Sequence, residues 1–429
     1  MRVAIVGAGI GGLAAAYDLN NAGHEVVIYE GASQVGGLSS GFRDPAWDWS
    51  VERYYHHWFA SDKYVLGFME EVGLREKVFF PRPLTSVYFD GDFYPLDSAL
   101  AVLRFPGLPF LDRIRLGAVV AYLKVTPTWK HLESVTAHEW MQKWVGQRGY
   151  DRLWKPLLIG KFGPHYREVN MAWMWARFKA RTPRLGTYEG GFQAFMDELA
   201  EKLQSQGVSI HLTTLVRKVD PADGGGLNLS LSDEQVHYDQ CLITTSPQLL
   251  TELVAALPET YVHQLLGLKS MGAVVLILAL KHQLSTSGIY WHSLPKEAGF
   301  PFLSMVEHTN YVSSEHFAGE HIVYCGDYLD PDHEYFSLTK EQLLERFLPS
   351  LSRFNPEFKP EWVRKTWLFS TLYAQPVPPV NHSESIPDLR TPVDGVWFAS
   401  MSQVYPWDRG TNFAVKIARE AAMRMMGES

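Results

Sequence analysis

The chain has 429 residues, of which 46% are hydrophobic and 20% are charged, and its formal net charge at pH 7 is −8. One hydrophobic core rarely grows beyond about 250–300 residues, so two domains are expected. The mildly acidic balance, without a lysine-rich run or a basic stripe, argues against nucleic-acid binding. Cys241 and Cys325 lie in apolar, strand-like segments, which favours reduced thiols and a cytoplasmic location.

The first thirty residues predict the start of a dinucleotide-binding fold. An apolar strand at 3–6 leads into Gly7, Gly9 and Gly12, and an alanine-rich helix follows. In this G-x-G-x-x-G pattern Gly7 permits the turn, Gly9 admits a pyrophosphate, and Gly12 lets the helix pack close to the strand. A second strand ends at Glu30, where an acid accepts hydrogen bonds from a ribose diol. The order of these features predicts that the chain binds an adenine dinucleotide.

The segment after Glu30 indicates which dinucleotide. It carries the pair Gly36-Gly37 and then a polar, aromatic stretch, where a nicotinamide domain would continue with another strand and helix. This resembles the flavin signature of the superfamily containing flavin amine oxidases, protoporphyrinogen oxidases, phytoene desaturases and UDP-galactopyranose mutases. The resemblance implies that Gly36 and Gly37 lie along the pyrophosphate and ribityl chain of FAD. Amine oxidases follow this pair with an arginine; here Leu38 stands in its place, and Ser39 or Ser40 is expected to take part of that contact.

Two segments in the middle of the chain extend the resemblance. Residues 239–247 resemble the strand by which the superfamily re-enters its nucleotide domain. Just upstream, Thr214-Leu215-Val216 resembles a strand whose valine backbone meets the adenine. The resemblance therefore implies that Val216 contributes to FAD binding.

The C-terminal segment is implied to complete the cofactor site. A strand at 395–400 leads to Gly410, Thr411 and Asn412 and then to a helix from about 413 to 426. In the superfamily the N-terminus of this helix points at the pyrimidine edge of the flavin, where it stabilises negative charge by roughly 0.3–2 kcal/mol. Gly410 and Asn412 are suitable turn and cap residues for that helix.

The predicted fold class is α/β: a Rossmann-like FAD-binding domain interleaved with a discontinuous α+β substrate domain. The FAD-binding domain is expected at 1–60, 185–258 and 388–429, and the substrate domain at 61–184 and 259–387. The apolar settings of both cysteines argue against a cysteinyl flavin link, so FAD is expected to bind non-covalently. No run of 18 or more apolar residues predicts a membrane span, and no ligand spacing predicts a metal site.

His57 is the candidate catalytic residue. It follows His56 in a segment resembling the region where UDP-galactopyranose mutases carry a histidine beside the flavin. Two adjacent residues on an extended segment point to opposite faces, so at most one of these histidines meets the cofactor. The alternative is a histidine that is hydrogen-bonded in the domain interface.

The oxygen-activating lysine of amine oxidases is expected to be missing. Aligned on 271–275, its position falls at Leu276, and Lys281 should face the other side of the strand. The absence disfavours ordinary amine oxidation and favours dehydrogenation or redox-neutral flavin chemistry. The alternative is an error in the register of this alignment.

Two groups of side chains are candidates for binding the substrate. Tyr373, Tyr405 and Trp407 are expected to form aromatic walls of a cavity, the alternative being core packing. Arg177, together with Lys155 and Lys161, is a candidate for holding an anionic substrate such as a carboxylate or a diphosphate. The alternative for these cations is a set of solvated helix charges.

The segment 96–125 is apolar with interspersed arginine and lysine residues. Amphipathic helices of this kind lie in membrane interfaces, and the related insert of protoporphyrinogen oxidases and desaturases is where those enzymes meet membrane. A peripheral membrane contact is one interpretation, and a helical pair packed on the substrate domain is the other.

The sequence therefore predicts an FAD-dependent oxidoreductase that oxidises a small organic substrate by hydride transfer to flavin N5. A second G-x-G-x-x-G is missing, which disfavours a separate nicotinamide domain, and the electron acceptor is left open. The main alternative is a redox-neutral enzyme similar to UDP-galactopyranose mutase that acts on a sugar nucleotide. A third possibility is a catalytically inert flavin-binding partner.

Overall fold

A computed structural model describes residues 1–96 and 98–427. Asp97, in the predicted membrane segment, and residues 428 and 429, at the end of the predicted FAD-binding domain, lie outside the described residues. The α-helices of the described chain are α1 (Ile10–Asn21), α2 (Lys63–Glu71), α3 (Ala99–Arg104), α4 (Phe110–Val125), α5 (Ala137–Val145), α6 (Gln147–Gly149), α7 (Lys155–Phe162), α8 (Met171–Ala180), α9 (Phe192–Ser205), α10 (Pro247–Leu253), α11 (Glu259–Leu266), α12 (Lys340–Leu351) and α13 (Thr411–Met425).

Its strands are β1 (Arg2–Val6), β2 (Glu25–Tyr29), β3 (Gly41–Phe42), β4 (Val51–Glu52), β5 (Trp58–Phe59), β6 (Val78–Phe79), β7 (Leu84–Phe89), β8 (Asp92–Pro95), β9 (Leu185–Tyr188), β10 (Ser209–His211), β11 (Lys218–Pro221), β12 (Leu227–Ser230), β13 (Gln235–Tyr238), β14 (Gln240–Ile243), β15 (Ser270–Leu280), β16 (Ile289–Ser293), β17 (Ser304–Glu307), β18 (His321–Leu329), β19 (Val363–Pro376) and β20 (Val396–Phe398).

A parallel sheet in the order β10-β2-β1-β14-β20 carries the N-terminal motif. Strand β1 is central, and its apolar residues are buried on both faces, as expected for a parallel strand covered on two sides. Helices α1 and α13 pack against one face, and small residues allow their close approach. A Cβ at Gly11 would lie 3.4 Å from the Ala418 Cβ. This sheet confirms the predicted α/β fold class.

A second, mixed sheet runs in the order β19-β15-β18-β17-β16-β7-β8. The long strand β15, between β19 and β18, is buried on both faces. Val274, Leu276 and Leu278 pack on the side of α12, whereas Ala273 and Val275 face the opposite side. The alignment that placed the amine-oxidase lysine at Leu276 is therefore wrong in register, because side chains alternate along a strand. The missing lysine was inferred from that alignment and stays a prediction, although β15 itself contains no lysine.

Of the two strands predicted in the middle of the chain, one is confirmed and one is wrong. The strand expected within residues 239–247 is β14, Gln240–Ile243. The predicted strand at Thr214-Leu215-Val216 is a loop instead. Thr213 adopts a left-handed φ of 53°, which ends strand β10, and pairing resumes only at β11. The division into two domains with the bounds given above stays a prediction.

Helices α3 and α4 form a pair that buries one face and exposes the other. Phe105, Leu108, Leu116 and Leu123 are buried in the core. An apolar surface on the outer side is formed by Leu100, Leu103, Phe110, Leu111 and Ile114, of which Leu111 is 77% exposed. No helix among the described residues is long and apolar enough to cross a membrane.

Glu52 on β4 is a buried carboxyl without a cationic partner in the described chain, and it predicts a pH-dependent stability. It accepts a hydrogen bond from the Phe192 N–H at 3.1 Å, but burial raises its pKa to about 7. Ionisation of Glu52 therefore lowers the free energy of unfolding. The loss begins above the unfolded pKa and is complete above pH 7. Glu52→Gln keeps an acceptor without the charge. We expect it to raise the free energy of unfolding by about 1–3 kcal/mol at pH 8 and to change it little at pH 5.

Urea unfolding of both proteins at the two pH values measures this difference. A gain of the same size at pH 5 and pH 8 would show that the Glu52 charge is not its cause.

Candidate functional site

The glycine motif at the junction of β1 and α1 has no room for side chains at two of its glycines. Gly7 has a φ of +109°, and a Cβ there would lie 2.7 Å from the Thr244 Oγ1. A Cβ at Gly12 would lie 2.0 Å from the Gly7 carbonyl oxygen, whereas the nearest atom to a Cβ at Gly9 is 4.0 Å away. The backbone at Gly9 is therefore open on the side where a pyrophosphate approaches, as the sequence motif predicts.

The second glycine pair lies against the first loop. Gly36 donates its N–H to the Ala8 carbonyl oxygen at 2.9 Å, and a Cβ at Gly37 would lie 3.3 Å from the Gly9 Cα. Both glycines have positive φ values, 114° and 55°, which favour glycine. Leu38 is exposed and Ser39 is buried. Two distant glycine motifs thus form one surface of backbone.

Glu30 closes this surface at the end of β2. Its Oε2 accepts a hydrogen bond from the Ala8 N–H and its Oε1 accepts one from the Ala32 N–H, both at 2.8 Å. A carboxylate has about four lone-pair sites, so both oxygens retain capacity for ribose hydroxyls. The loop that contains Val216 runs beside Glu30, because the Thr214 N–H donates to the Glu30 carbonyl oxygen at 2.8 Å.

The N-terminus of α13 faces the segment that contains His57. The Trp58 indole N–H donates to the Thr411 Oγ1 at 2.8 Å, and Asn412 Oδ1 accepts from the N–H of Tyr64 at 2.9 Å. The prediction that Asn412 caps its own helix is therefore wrong: it caps the first turn of α2. Gly410 occupies the N-cap position of α13 instead.

This arrangement leaves backbone donors available at α13. The N–H groups of Thr411 and Asn412 have no acceptor within residues 1–96 and 98–427. Open donors at a helix N-terminus suit an anionic or carbonyl oxygen. Together with the two glycine loops and Glu30, they fit an adenine dinucleotide with a flavin ring.

His57 is a half-buried, uncharged histidine whose buried Nδ1 is unused. Its Nδ1 has no hydrogen-bond partner in the described part of the chain. Burial, followed by the charges of Arg181, His56 and Lys161, lowers the pKa of His57 to about 3. His56 differs, because its Nδ1 contacts the Tyr54 carbonyl oxygen at 2.5 Å. Since a buried polar atom normally has a partner, the free Nδ1 of His57 points to a missing ligand.

Asp408 lies at the centre of a cluster of cations. Its Oδ2 lies 3.5 Å from Arg177 Nη1 and its Oδ1 lies 3.7 Å from Arg409 Nη1. The side chains of Trp173 and Gln375 each donate to its Oδ1 at 3.4 Å. Burial alone would raise the pKa of this carboxyl, but the neighbouring cations outweigh burial and hold the pKa well below its usual range.

Only part of this cluster could be predicted from the sequence. Arg177 and Lys161 were candidates for binding an anion, whereas Asp408, Arg409 and Arg181 were not. Arg177 and Arg181 are four residues apart, a spacing that places two side chains on one helix face and was an available signal. Lys155, which was proposed with them, lies outside the cluster, because its charge acts on His138 instead.

Two of the three predicted aromatic residues line a cavity beside Asp408. Tyr405 and Trp407 border a narrow space of about 10 Å³ together with Trp173, Gln375 and Arg409. The Tyr373 hydroxyl instead forms hydrogen bonds with the hydroxyls of Ser400 and Ser402, at 2.7 and 2.6 Å, and the residue is not among those that line this space.

The chain matches one protein-family model and is similar to several known proteins. The family described as flavin containing amine oxidoreductase matches residues 10–426. A probable zeta-carotene desaturase from Synechococcus elongatus is 26% identical over 260 residues, which are 53% of this chain and 53% of that protein. The chain thus spans about half the length of the curated relatives that it matches first.

Two solved structures have a similar fold over the whole chain. A putative protoporphyrinogen oxidase from Exiguobacterium sp. 255-15 has a TM-score of 0.78 at 17% identity, covering 100% of this chain and 99% of its own. Reduced UDP-galactopyranose mutase has a TM-score of 0.77 at 16% identity, covering 99% and 95%. At these identities the similarity shows the fold alone.

Proposed function

Because the chain belongs to the flavin containing amine oxidoreductase family, we propose that it is an FAD-dependent enzyme that oxidises a small organic substrate. The observation that carries this proposal is the buried, partnerless Nδ1 of His57, in a segment that bonds to the N-terminus of α13. FAD held at this position would supply the hydride-accepting chemistry of the oxidation. The residues of the chain bind and orient the two molecules.

The backbone would hold the cofactor. The glycines Gly7, Gly9 and Gly12 would receive its pyrophosphate, and Gly36 and Gly37 would lie along the ribityl chain. Glu30 would accept hydrogen bonds from the ribose, and Val216 would lie at the adenine end. The N–H groups of Thr411 and Asn412 would donate to an oxygen of the flavin. The exposed Leu38 and the buried Ser39 would complete this loop.

We further propose that FAD is bound non-covalently. The Cys241 and Cys325 thiols are free and buried, on β14 and β18. Burial raises the pKa of Cys241 to about 12, and it raises the pKa of Cys325 as well. The thiolate is the reactive form of cysteine, so neither side chain is available to attack a flavin ring.

The substrate would lie between His57 and the cavity bordered by Tyr405 and Trp407. His57 is uncharged at neutral pH and can offer a hydrogen bond at its Nδ1 without bringing a charge. Arg177 is held by Asp408, so it shapes the pocket by maintaining that pair. The aromatic walls exclude water from the reacting atoms.

A redox-neutral reaction on a sugar nucleotide is the second candidate. It is favoured by the similarity of fold to reduced UDP-galactopyranose mutase and by the cations around Asp408. It differs in needing reduced flavin at the start and in leaving the flavin reduced at the end. The two candidates therefore predict opposite spectral behaviour.

Anaerobic mixing of the oxidised holoenzyme with candidate substrates distinguishes them. An oxidoreductase bleaches its flavin bands within the first turnover, and an added acceptor restores them. A mutase-like enzyme keeps its oxidised bands with every substrate and isomerises a sugar nucleotide only after prior reduction. That second pattern would overturn the proposed oxidation.

We also propose that the apolar surface of α3 and α4 contacts an anionic lipid bilayer. Leu100, Leu103, Phe110, Leu111 and Ile114 form it. Arg113 holds the two helices together through the Leu103 and Leu108 carbonyl oxygens, at 2.5 and 2.6 Å. The exposed Arg104 at the end of α3 would complement anionic headgroups.

The variant Phe110→Asp/Leu111→Asp tests the membrane contact. Loss of two apolar anchors should reduce co-sedimentation with phosphatidylglycerol vesicles by about tenfold or more, without changing FAD content. Leu266→Asp, at an exposed apolar position on α11, is the matched control and should bind as the natural chain does. Equal sedimentation of all three proteins would refute the proposed contact.

A further inference from the structure

Two cations near His57 have no anionic partner. The Lys161 Nζ, at the end of α7, lies 4.2 Å from the centroid of the Tyr328 ring. The Arg181 guanidinium carbon, directly after α8, lies 5.8 Å from the centroid of the Phe59 ring. Neither side chain forms a hydrogen bond or an ion pair with any residue that the structure describes. Both charges act on His57.

The one carboxylate of the cluster is already used. Asp408 is shared by Arg177 and Arg409 and accepts hydrogen bonds from two further side chains. Arg409 is also held by the Ala374 carbonyl oxygen and the Tyr328 hydroxyl. The cluster thus contains four cationic side chains around a single carboxylate. Such an excess of positive charge is unfavourable where the cations are partly buried, as Lys161, Arg177 and Arg409 are, unless a ligand brings negative charge.

We propose that Lys161 and Arg181 bind an anionic group of the substrate, a phosphate or a carboxylate, beside His57. Ammonium and guanidinium groups both donate to such oxygens, and the guanidinium can do so with two N–H groups. Lys161 is half-buried and Arg181 is exposed, so the site has an inner and an outer cation. This inference rests on the proposed function and specifies the class of its substrate.

The environment of Lys161 agrees with a binding role. Burial, reinforced by Arg409, lowers the pKa of Lys161 well below its usual value, and Asp408 only partly opposes this shift. An anion beside the amine would favour the charged form. The cofactor's own pyrophosphate is assigned to the backbone at Gly9 and Gly36, on other elements of the fold, so it does not supply this anion.

Calorimetric titration of the FAD-saturated holoenzyme tests the site. Inorganic pyrophosphate and malonate are the two probes, the first for a phosphate and the second for a carboxylate. Lys161→Met and Arg181→Gln each remove one charge, and Lys155→Met is the matched control outside the cluster. We expect at least one probe to bind. Each variant should weaken its binding by about tenfold or more, while the control stays within about twofold.

Conservative variants guard against a loss of folding. Lys161→Arg and Arg181→Lys keep the charge and should retain most of the affinity, with FAD content unchanged throughout. The probe that binds more tightly identifies the anionic group. The inference is overturned if neither probe binds the natural holoenzyme, or if the charge-removing variants bind as tightly as the control. A holoenzyme that oxidises a substrate yet binds neither anion would refute this inference and leave the proposed function intact.

Discussion

Gly12→Ala should abolish FAD binding. The added Cβ would lie 2.0 Å from the Gly7 carbonyl oxygen and 3.3 Å from the Ile5 Cγ2. Because the first of these atoms is backbone, α1 would have to move away from β1, and the Gly7 turn would move with it. We expect this displacement to lower the free energy of unfolding by several kcal/mol, as overpacking of a core does. We expect a protein that is purified without flavin and does not take it up when FAD is added.

Two companion variants separate cofactor binding from folding. At Gly9 the nearest atom to an added Cβ is 4.0 Å away, so Gly9→Ala should fold normally and yet weaken FAD binding by obstructing the pyrophosphate. Gly67→Ala in α2 adds a methyl where no atom lies within 4 Å, and it should behave as the natural chain does. Normal FAD content in both Gly9→Ala and Gly12→Ala would contradict the assigned cofactor site.

Asp408→Asn should be the most destabilising single change near the cation cluster. It keeps an oxygen for the N–H donors of Trp173 and Gln375, but it leaves Arg177 and Arg409 without a carboxylate. Breaking a buried ion pair from one side typically costs about 3–5 kcal/mol, and the partial exposure of Asp408 reduces that to about 2–3 kcal/mol. Asp394→Asn removes an exposed partner of Arg390 and should cost less than about 1 kcal/mol.

The effect of Asp408→Asn should depend on pH in a defined direction. The pKa of Asp408 is depressed in the folded protein, so its stabilising contribution is fully present above the unfolded pKa of about 4. The contribution is lost as the pH falls through the lower folded value. Urea unfolding should therefore show the full difference at pH 7 and a smaller one at pH 3. A difference that grows on acidification would contradict the assigned ion pairs.

The nucleotide-binding half of the site could be predicted because its information is local. Gly7, Gly9 and Gly12 act through steric limits on the backbone, and those limits are the same wherever the motif occurs. Glu30 follows at a spacing that the strand and helix lengths fix. The second pair, Gly36 and Gly37, required the family resemblance as well.

The remaining errors arise where tertiary contacts decide. Asparagine often caps the helix that it precedes, but the Asn412 side chain accepts hydrogen bonds from N–H groups of the neighbouring helix α2 instead. The face of β15 on which the Leu276 side chain lies depends on the register of the alignment. A shift of one residue moves every side chain to the opposite face. The cluster around Asp408 joins three separate segments, so no spacing in the sequence reveals that Arg181 stands without a partner there.

FAD binding is tested most directly by the visible spectrum of the purified chain, followed by acid denaturation and analysis of the supernatant. We expect flavin absorption bands in the native protein, their bleaching on anaerobic reduction, and recovery of an equimolar amount of FAD free in the supernatant. A protein that shows no flavin bands even after incubation with FAD would contradict the proposed cofactor, and flavin that stays with the precipitated polypeptide would contradict non-covalent binding.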